Sequence, residues 1–334
     1  MPDQRLNQLA IWLKQQFPAS EPPTMISGDA SFRRYFRFFD QGRNLIAVDA
    51  PPEKEALNPF LAVTKLLQKH AIQTPTIITH NLESGFLVLT DLGDTLLFET
   101  LERTKEPYSN ALEVLGKIQT IAALDDLPLY SEILLRKEMS LFDEWFLKAH
   151  LKLEISSHDS AKISKAKDLL CKTALAQKPV FVHRDYHSRN IMVGEKDLFL
   201  IDYQDAVIGP YTYDLVSLLK DCYCRWPNQL VEAWALSFWQ NQRERLTQLP
   251  DDANTFLRDF HLMGLQRHLK VLGIFCRLAI RDDKKQYLDD LPRVLGYVLE
   301  TLQAYPEFEL LHEFFALKIV PLLKPDYQEM RLPA

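Results

Sequence analysis

The chain has 334 residues, 47% of them hydrophobic, which is enough to bury a substantial core in one large domain or two small ones. Its 39 Lys and Arg against 45 Asp and Glu leave a net charge of −6, which argues against general nucleic-acid affinity, because that needs a basic surface. No apolar run reaches the ~20 residues that span a bilayer, and the polar amphipathic start, Met1-Pro2-Asp3-Gln4-Arg5, does not read as a signal peptide, so a cytoplasmic protein with no membrane contact is expected.

In chain order, Leu6, Leu9, Ala10 and Leu13 fall on one helical face and predict a short opening helix, ended by Pro18 and Pro22-Pro23. Residues 24 to 50 read as strands. Phe32, Arg34, Phe36 and Phe38 alternate with Arg33, Tyr35, Arg37 and Phe39; Gly42 makes a turn, and Leu45-Ile46-Ala47-Val48 is the next strand, broken by Pro51-Pro52. Helical spacing returns over 58–70. Thr76-Ile77-Ile78 and Phe86-Leu87-Val88-Leu89 then complete a sheet of five strands. After the Asp91-Leu92-Gly93-Asp94 turn, residues 96 to 176 are mostly helical, with periodic runs such as Leu134, Leu135, Met139, Phe142 and Phe146. Val180-Phe181-Val182 is apolar and β-prone, and from 211 onward the chain is helical again. Cys171, Cys222, Cys224 and Cys276 fit no zinc spacing and read as free thiols.

The informative stretch lies between these helical regions. His183-Arg184-Asp185-Tyr186-His187-Ser188-Arg189-Asn190, followed by Ile201-Asp202, supplies a carboxylate, an amide five residues later and a second carboxylate 12 residues after that. Kinases of the protein-kinase-like fold use this order for phosphoryl transfer. The first Asp accepts a hydroxyl proton; the Asn and the second Asp hold Mg²⁺ on the nucleotide phosphates. Ile191-Met192-Val193 and Leu198-Phe199-Leu200-Ile201 flank the turn Gly194-Glu195-Lys196-Asp197. Paired as a hairpin about Lys196, they set Asn190 almost opposite Asp202, where Cβ atoms lie ~4.5–5.5 Å apart. Two oxygen donors so placed suit Mg²⁺, which completes its shell with phosphate and water oxygens. Alone, His-Arg-Asp is a common surface-loop tripeptide; the spaced Asn and the hairpin Asp make it specific.

These residues resemble the aminoglycoside phosphotransferase and choline kinase superfamily. A longer set is similar to the narrower family of bacterial anomeric kinases of N-acetylmuramate and N-acetylglucosamine, which act in cell-wall sugar recycling. That set adds Gly28-Asp29-Ala30-Ser31-Phe32-Arg33-Arg34-Tyr35, Asp49-Ala50-Pro51-Pro52, Tyr203-Gln204-Asp205-Ala206, Gly209-Pro210 and Tyr213-Asp214-Leu215. The resemblance implies an α+β, protein-kinase-like two-lobed fold: an N-terminal lobe with an antiparallel sheet over 1–90, a hinge over 91–94, and a larger, mostly helical C-terminal lobe over 95–334. It implies ATP and Mg²⁺ as cofactors and a small-molecule sugar as substrate, phosphorylated on the C1 hydroxyl, with no protein partner expected.

Carried onto this chain, Asp185 is the candidate base, and Asn190 and Asp202 are the candidate metal ligands. Thr90, Asp91 and Leu92 are the hinge positions whose backbone would bond adenine. Asp205 either assists the metal or caps its loop, and Asp214 braces the catalytic loop. The C-terminal helices of the superfamily wall the acceptor site, which directs attention to His261, Gln266, Arg267, His268 and Arg277. The first lobe departs from the protein-kinase pattern. There is no Gly-x-Gly-x-x-Gly, only a single-glycine loop in which Ser31 and backbone N–H groups would meet phosphate. No Lys stands on the third strand; Asp49 falls near that place, so the candidates for the phosphate cation are Arg33 and Arg34, which otherwise read as solvated strand residues. Other acceptors (an aminoglycoside, choline, another hydroxyl compound) and a nucleotide-binding pseudokinase are the rival readings.

Overall fold

Alternation, helix caps and buried charge account for most of the architecture. The computed structural model describes residues 3–28, 32–101, 106–122 and 127–323, and these divide into two compact units: residues 1–104 with 189–205, and residues 105–188 with 206–334.

In the first unit, helix α1 (Gln4–Gln16) is capped by Asp3, whose Oδ1 accepts the Leu6 N–H at 3.0 Å. Strands β1 (Thr24–Gly28), β2 (Arg34–Asp40) and β3 (Arg43–Asp49) are followed by helix α2 (Asn58–Lys69), strands β4 (Ile77–Asn81) and β5 (Phe86–Thr90), and the one-turn helix α3 (Leu97–Thr100). The strands form one five-stranded sheet in the order β1-β2-β3-β5-β4, with every neighbouring pair antiparallel. Period-two alternation divides its two faces. Phe36 and Phe38 of β2, Leu45 and Ala47 of β3, and Phe86 and Val88 of β5 pack with Leu9, Trp12, Leu13 and Phe17. Burying each such Phe or Leu contributes roughly 1.5–3 kcal/mol, so α1 is fastened to the sheet by hydrophobic burial. The second strand begins at Arg34 rather than at Phe32, which is 57% exposed and packs with nothing in that core.

The second unit runs through helices α4 (Glu106–Gln119) and α5 (Glu132–Leu141), the latter continuing as a π-helical stretch over Phe142–His150, and then helix α6 (Ser157–Ala176). Strand β6 (Pro179–Val182) follows, then the strands β7 (Ile191–Val193) and β8 (Leu198–Leu200) that belong to the first unit, then β9 (Val207–Pro210). β6 and β9 pair antiparallel, Phe181 opposite Ile208. Helices α7 (Tyr213–Leu219), α8 (Asn228–Gln242), α9 (Ala253–Arg281), α10 (Leu291–Ala304) and α11 (Glu309–Phe314) follow, the last continuing as a π-helical stretch over Phe315–Ile319. Every residue of α9 from Leu262 to Gly273 is buried, so it is the central helix of this unit. That run contains Gln266, Arg267, His268 and Lys270. Charged side chains are rarely buried unless they are paired, and Lys270 is paired with Glu138.

Candidate active site

The octet leaves β6 at His183 and is laced down by two aspartates. Asp214, in the first turn of α7, accepts the His183 N–H at 2.6 Å on Oδ2 and the Arg184 N–H at 3.0 Å on Oδ1. Asp221 accepts both the N–H and the hydroxyl of Ser188, at 2.9 and 2.6 Å. The Tyr186 hydroxyl donates to the Ala111 carbonyl at 2.7 Å. Burial pushes Asp214 up to about 7, partly opposed by the two N–H groups it accepts. Arg184 takes φ +76°, a left-handed conformation uncommon outside glycine.

Asp185 is half-buried in this loop. Burial alone would raise its carboxyl pKa, but the positive charges of Lys270, His187, Arg267 and Arg184 outweigh that effect and hold it below the ordinary carboxylate value. Behind the loop is a buried charge cluster. Glu138 of α5 is paired with Arg184 and, at 3.1 Å, with Lys270, and it accepts the Tyr130 hydroxyl. Lys270 also donates to the Tyr213 hydroxyl at 2.9 Å. Burial opposes ionisation of Glu138, yet Lys270 and Arg184 keep its carboxyl below the usual range. Arg267, 3% exposed, donates Nη1 to the Cys222 sulfur at 3.1 Å.

Asn190 and Asp202 belong to the first unit, at the open end of the β7–β8 hairpin. The register differs by one residue from the sequence expectation. Ile191 faces Leu200, Met192 faces Phe199 and Val193 faces Leu198, and the Ile201 N–H donates to the Asn190 carbonyl at 3.1 Å. Asn190 therefore opposes Ile201, and Asp202 lies one residue past that pair. The cause is the turn: the Gly194 N–H donates to the Asp197 carbonyl at 2.9 Å, leaving Glu195-Lys196 as the two central residues. Asp202 has φ +62°, which turns the chain out of the strand; Asp tolerates this better than most residues. Its Oδ1 accepts from Gln204 Nε2 at 2.8 Å. Tyr203 is buried, stacked on Phe60 at 5.1 Å, with its hydroxyl hydrogen-bonded to Thr64 at 2.8 Å, so the segment after Asp202 is fastened to α2. Asp205 is exposed.

The sheet separates the two candidate arginines. Arg34 faces Asp49 across β2–β3, and its guanidinium engages both Asp49 and Asp3. Asp49 is fully buried and also pairs with Arg5 of α1, so the acidic residue near the expected lysine position sits in a two-arginine clasp on the α1 face. Arg33 is buried, pairs with Glu55 at 2.7 Å, and lies 6.0 Å from the Phe60 ring. Ser31 lies outside the described residues. At the hinge positions, the Thr90 N–H is already donated to the Thr76 carbonyl at 3.0 Å and its hydroxyl accepts the Thr76 N–H at 2.9 Å. The Asp91 carboxylate takes Arg37 Nε at 2.6 Å and Nη2 at 3.0 Å, with Asp94 on the same guanidinium at 2.8 Å. Leu92 follows, half-buried. Of the α9 polar residues, His268 Nε2 meets the Lys220 carbonyl at 3.0 Å and His261 Nδ1 meets the Tyr305 hydroxyl at 2.9 Å. Residues 24–249 match the model of the phosphotransferase enzyme family. The N-acetylmuramate/N-acetylglucosamine kinase of Pseudomonas aeruginosa is 39% identical over 327 residues, covering 94% of this chain and 97% of that protein. The enzyme of the same name from Neisseria meningitidis is 36% identical over 317 residues, covering 92% and 94%. Among solved structures, choline kinase LicA from Streptococcus pneumoniae superposes with TM-score 0.63 at 15% identity, covering 90% of this chain and 99% of that one. Spectinomycin phosphotransferase in complex with ADP and spectinomycin superposes with TM-score 0.59 at 15% identity, covering 89% and 98%. At these identities the superpositions show the fold, which is the expected α+β protein-kinase-like fold.

Proposed function

We propose, from the premise that this chain belongs to the phosphotransferase enzyme family, that it transfers the γ-phosphoryl group of ATP to the C1 hydroxyl of N-acetylmuramate and N-acetylglucosamine. The relatives of that name, aligned over nearly their whole length, support the acceptor. In the proposed reaction the C1 oxygen bonds to the γ-phosphorus, the bond from that phosphorus to the β,γ-bridging oxygen breaks, ADP leaves, and the hydroxyl proton passes to Asp185. The observation that carries this reading is the environment of Asp185: a half-buried carboxylate kept ionised by the surrounding cations is equipped to accept a proton and to orient a hydroxyl. Phosphoryl transfer needs little more than that from a base, because it depends chiefly on positioning and charge neutralisation.

Asn190 and Asp202 fit a Mg²⁺ ion by their donor chemistry, a carboxylate and an amide oxygen on one hairpin end. Mg²⁺ takes few protein ligands, the rest of its shell being phosphate and water oxygens. When bound, Mg²⁺ neutralises charge on the nucleotide phosphates. For the phosphate cation we favour Arg33. Arg34 is held by two carboxylates, Asp3 and Asp49, on the α1 face, whereas Arg33, paired with Glu55, lies beside Phe60, which stacks on the residue after Asp202. Adenine would then be met by backbone at Asp91 and Leu92, since the Thr90 N–H is spent on Thr76. No helix among the described residues is long and apolar enough to cross a membrane, and we place the protein in the cytoplasm, where ATP is. The test is ADP release measured against a panel of N-acetylated amino sugars, aminoglycosides and choline. Turnover with the two N-acetyl sugars supports the proposal; turnover confined to aminoglycosides or choline contradicts the acceptor, and none with any of them contradicts catalysis.

A further inference from the structure

The catalytic loop carries a backbone conformation that its own sequence disfavours. Arg184, at φ +76°, immediately precedes Asp185, and a non-glycine residue stays in that region only where its surroundings over-determine it. Two restraints on it stand out. One is Asp214, which accepts the N–H groups of His183 and Arg184. The other is a side-chain anchor 46 residues earlier in the chain, Glu138 of α5, which is 5% exposed.

Glu138 uses both carboxylate oxygens. Oε1 takes Arg184 Nη2 and, at 3.1 Å, Lys270 Nζ, while Oε2 accepts the Tyr130 hydroxyl. The anchored parts also bear on each other. The Arg184 guanidinium lies 5.9 Å from the Tyr130 ring, Tyr130 and Tyr213 meet edge to face at 5.2 Å, and Lys270 donates to the Tyr213 hydroxyl at 2.9 Å. The side chain of residue 184 is thus held by Glu138 of α5 beside the Tyr130 ring, and Glu138 is in turn fixed by Lys270 of α9, whereas the carboxylate next to residue 184 is left half-buried.

We infer that Glu138 is a positioning residue for phosphoryl transfer: by holding the Arg184 side chain it keeps residue 184 left-handed, and that conformation sets where the Asp185 carboxylate is presented. The inference rests on the proposal that Asp185 is the proton acceptor. Glu138 touches neither substrate nor nucleotide in this role. A shift of about 1 Å in a reacting group lowers turnover by up to ~10²-fold while leaving binding elsewhere little altered.

The test compares four variants of the full chain, Glu138→Gln, Arg184→Ala, Arg184→Gly and Asp185→Asn, by kcat and by KM for ATP and N-acetylglucosamine, with thermal unfolding as the control for folding. Glu138→Gln keeps the shape but removes the charge. It should lower kcat ~10–100-fold with KM for ATP within about twofold of wild type. Arg184→Ala loses the anchor and retains the strain. Arg184→Gly loses the anchor but adopts the left-handed conformation without penalty, so it should retain severalfold more kcat than Arg184→Ala. A merely structural Arg184 would give the two variants equal activity. A Glu138→Gln enzyme with kcat within about twofold of wild type, or an Arg184→Gly enzyme no better than Arg184→Ala, overturns the inference even where Asp185→Asn is inactive. If Glu138→Gln does not fold, the Arg184 pair decides by the same criterion. Near-normal turnover of Asp185→Asn sinks the base assignment, and this inference with it.

Discussion

Replacing Lys270 with Met removes a buried cation and keeps most of its volume. In the wild type its ammonium group is bound to Glu138 at 3.1 Å and to the Tyr213 hydroxyl at 2.9 Å, and it is the largest of the charges that keep Asp185 ionised. Breaking a buried ion pair by deleting one partner costs ~3–5 kcal/mol. Here Glu138 retains Arg184 and the Tyr130 hydroxyl, so the low end applies, about 3 kcal/mol, which corresponds to roughly 4 °C in Tm for a chain of this size. The pH dependence has a definite sign. Asp185 and Glu138 have folded-state pKa values below their ordinary 3.8 and 4.5. Such groups contribute stability that is present above the unfolded value and lost as pH falls through the folded one. Lys270→Met takes that contribution away, so the Tm gap from wild type should be wide at neutral pH and should narrow once the medium is more acidic than both ordinary values. Loss of the cation also raises the Asp185 pKa, so the acid limb of the kcat/KM profile should move to higher pH. Calorimetry across the pH range and a pH–rate profile measure both effects. A variant with wild-type Tm at neutral pH and an unmoved acid limb would refute the reasoning.

Asp185→Asn should lower kcat by ~10²–10⁴, typical of losing a general base, with little change in ATP affinity; single-turnover kinetics and nucleotide titration separate the two. Asp202→Ala should abolish Mg²⁺-dependent nucleotide binding and Asn190→Ala should raise the Mg²⁺ requirement, both read by calorimetric titration of ADP with and without Mg²⁺. Wild-type Mg²⁺ dependence in both would remove the metal assignment. Arg33→Ala should raise KM for ATP or lower kcat sharply. Arg34→Ala should leave the kinetics nearly intact and cost about 1–3 kcal/mol of stability by weakening the clasp on buried Asp49, which Arg5 still holds. The opposite pattern in a side-by-side assay would assign the phosphate cation to Arg34.

Local pattern made the scaffold legible. The β2 alternation and the apolar runs of β3 and β5 predict the five-stranded sheet, and the leucines of α1 predict its buried face, because strand and helix periods act over a few residues. The octet and the following Ile201-Asp202 were also readable as a loop and hairpin. The hairpin register was not, because choosing Glu195-Lys196 as the central pair depends on the Gly194–Asp197 hydrogen bond, which composition does not announce. The choice between Arg33 and Arg34 was reduced to opposite faces by strand geometry. Which face each arginine takes became visible only with Arg5, Asp3 and Asp49 gathered on one side and Glu55 with Phe60 on the other. Glu138 and Lys270 carried no local signal at all: a glutamate in a helix and a lysine in a long apolar one read as solvated residues, and only tertiary packing turns them into a buried pair behind Asp185.

The central claim is the acceptor atom, and the most direct measurement is phosphorus NMR of the product formed from ATP with N-acetylmuramate, with N-acetylglucosamine and with their 1-O-methyl glycosides. The two free sugars should each give an acid-labile glycosyl phosphate, since they share the C1 hydroxyl and the lactyl group lies away from it. The methyl glycosides should give no sugar phosphate, because their C1 oxygen is blocked. A phosphorylated methyl glycoside would contradict the account, placing the transferred group on another hydroxyl.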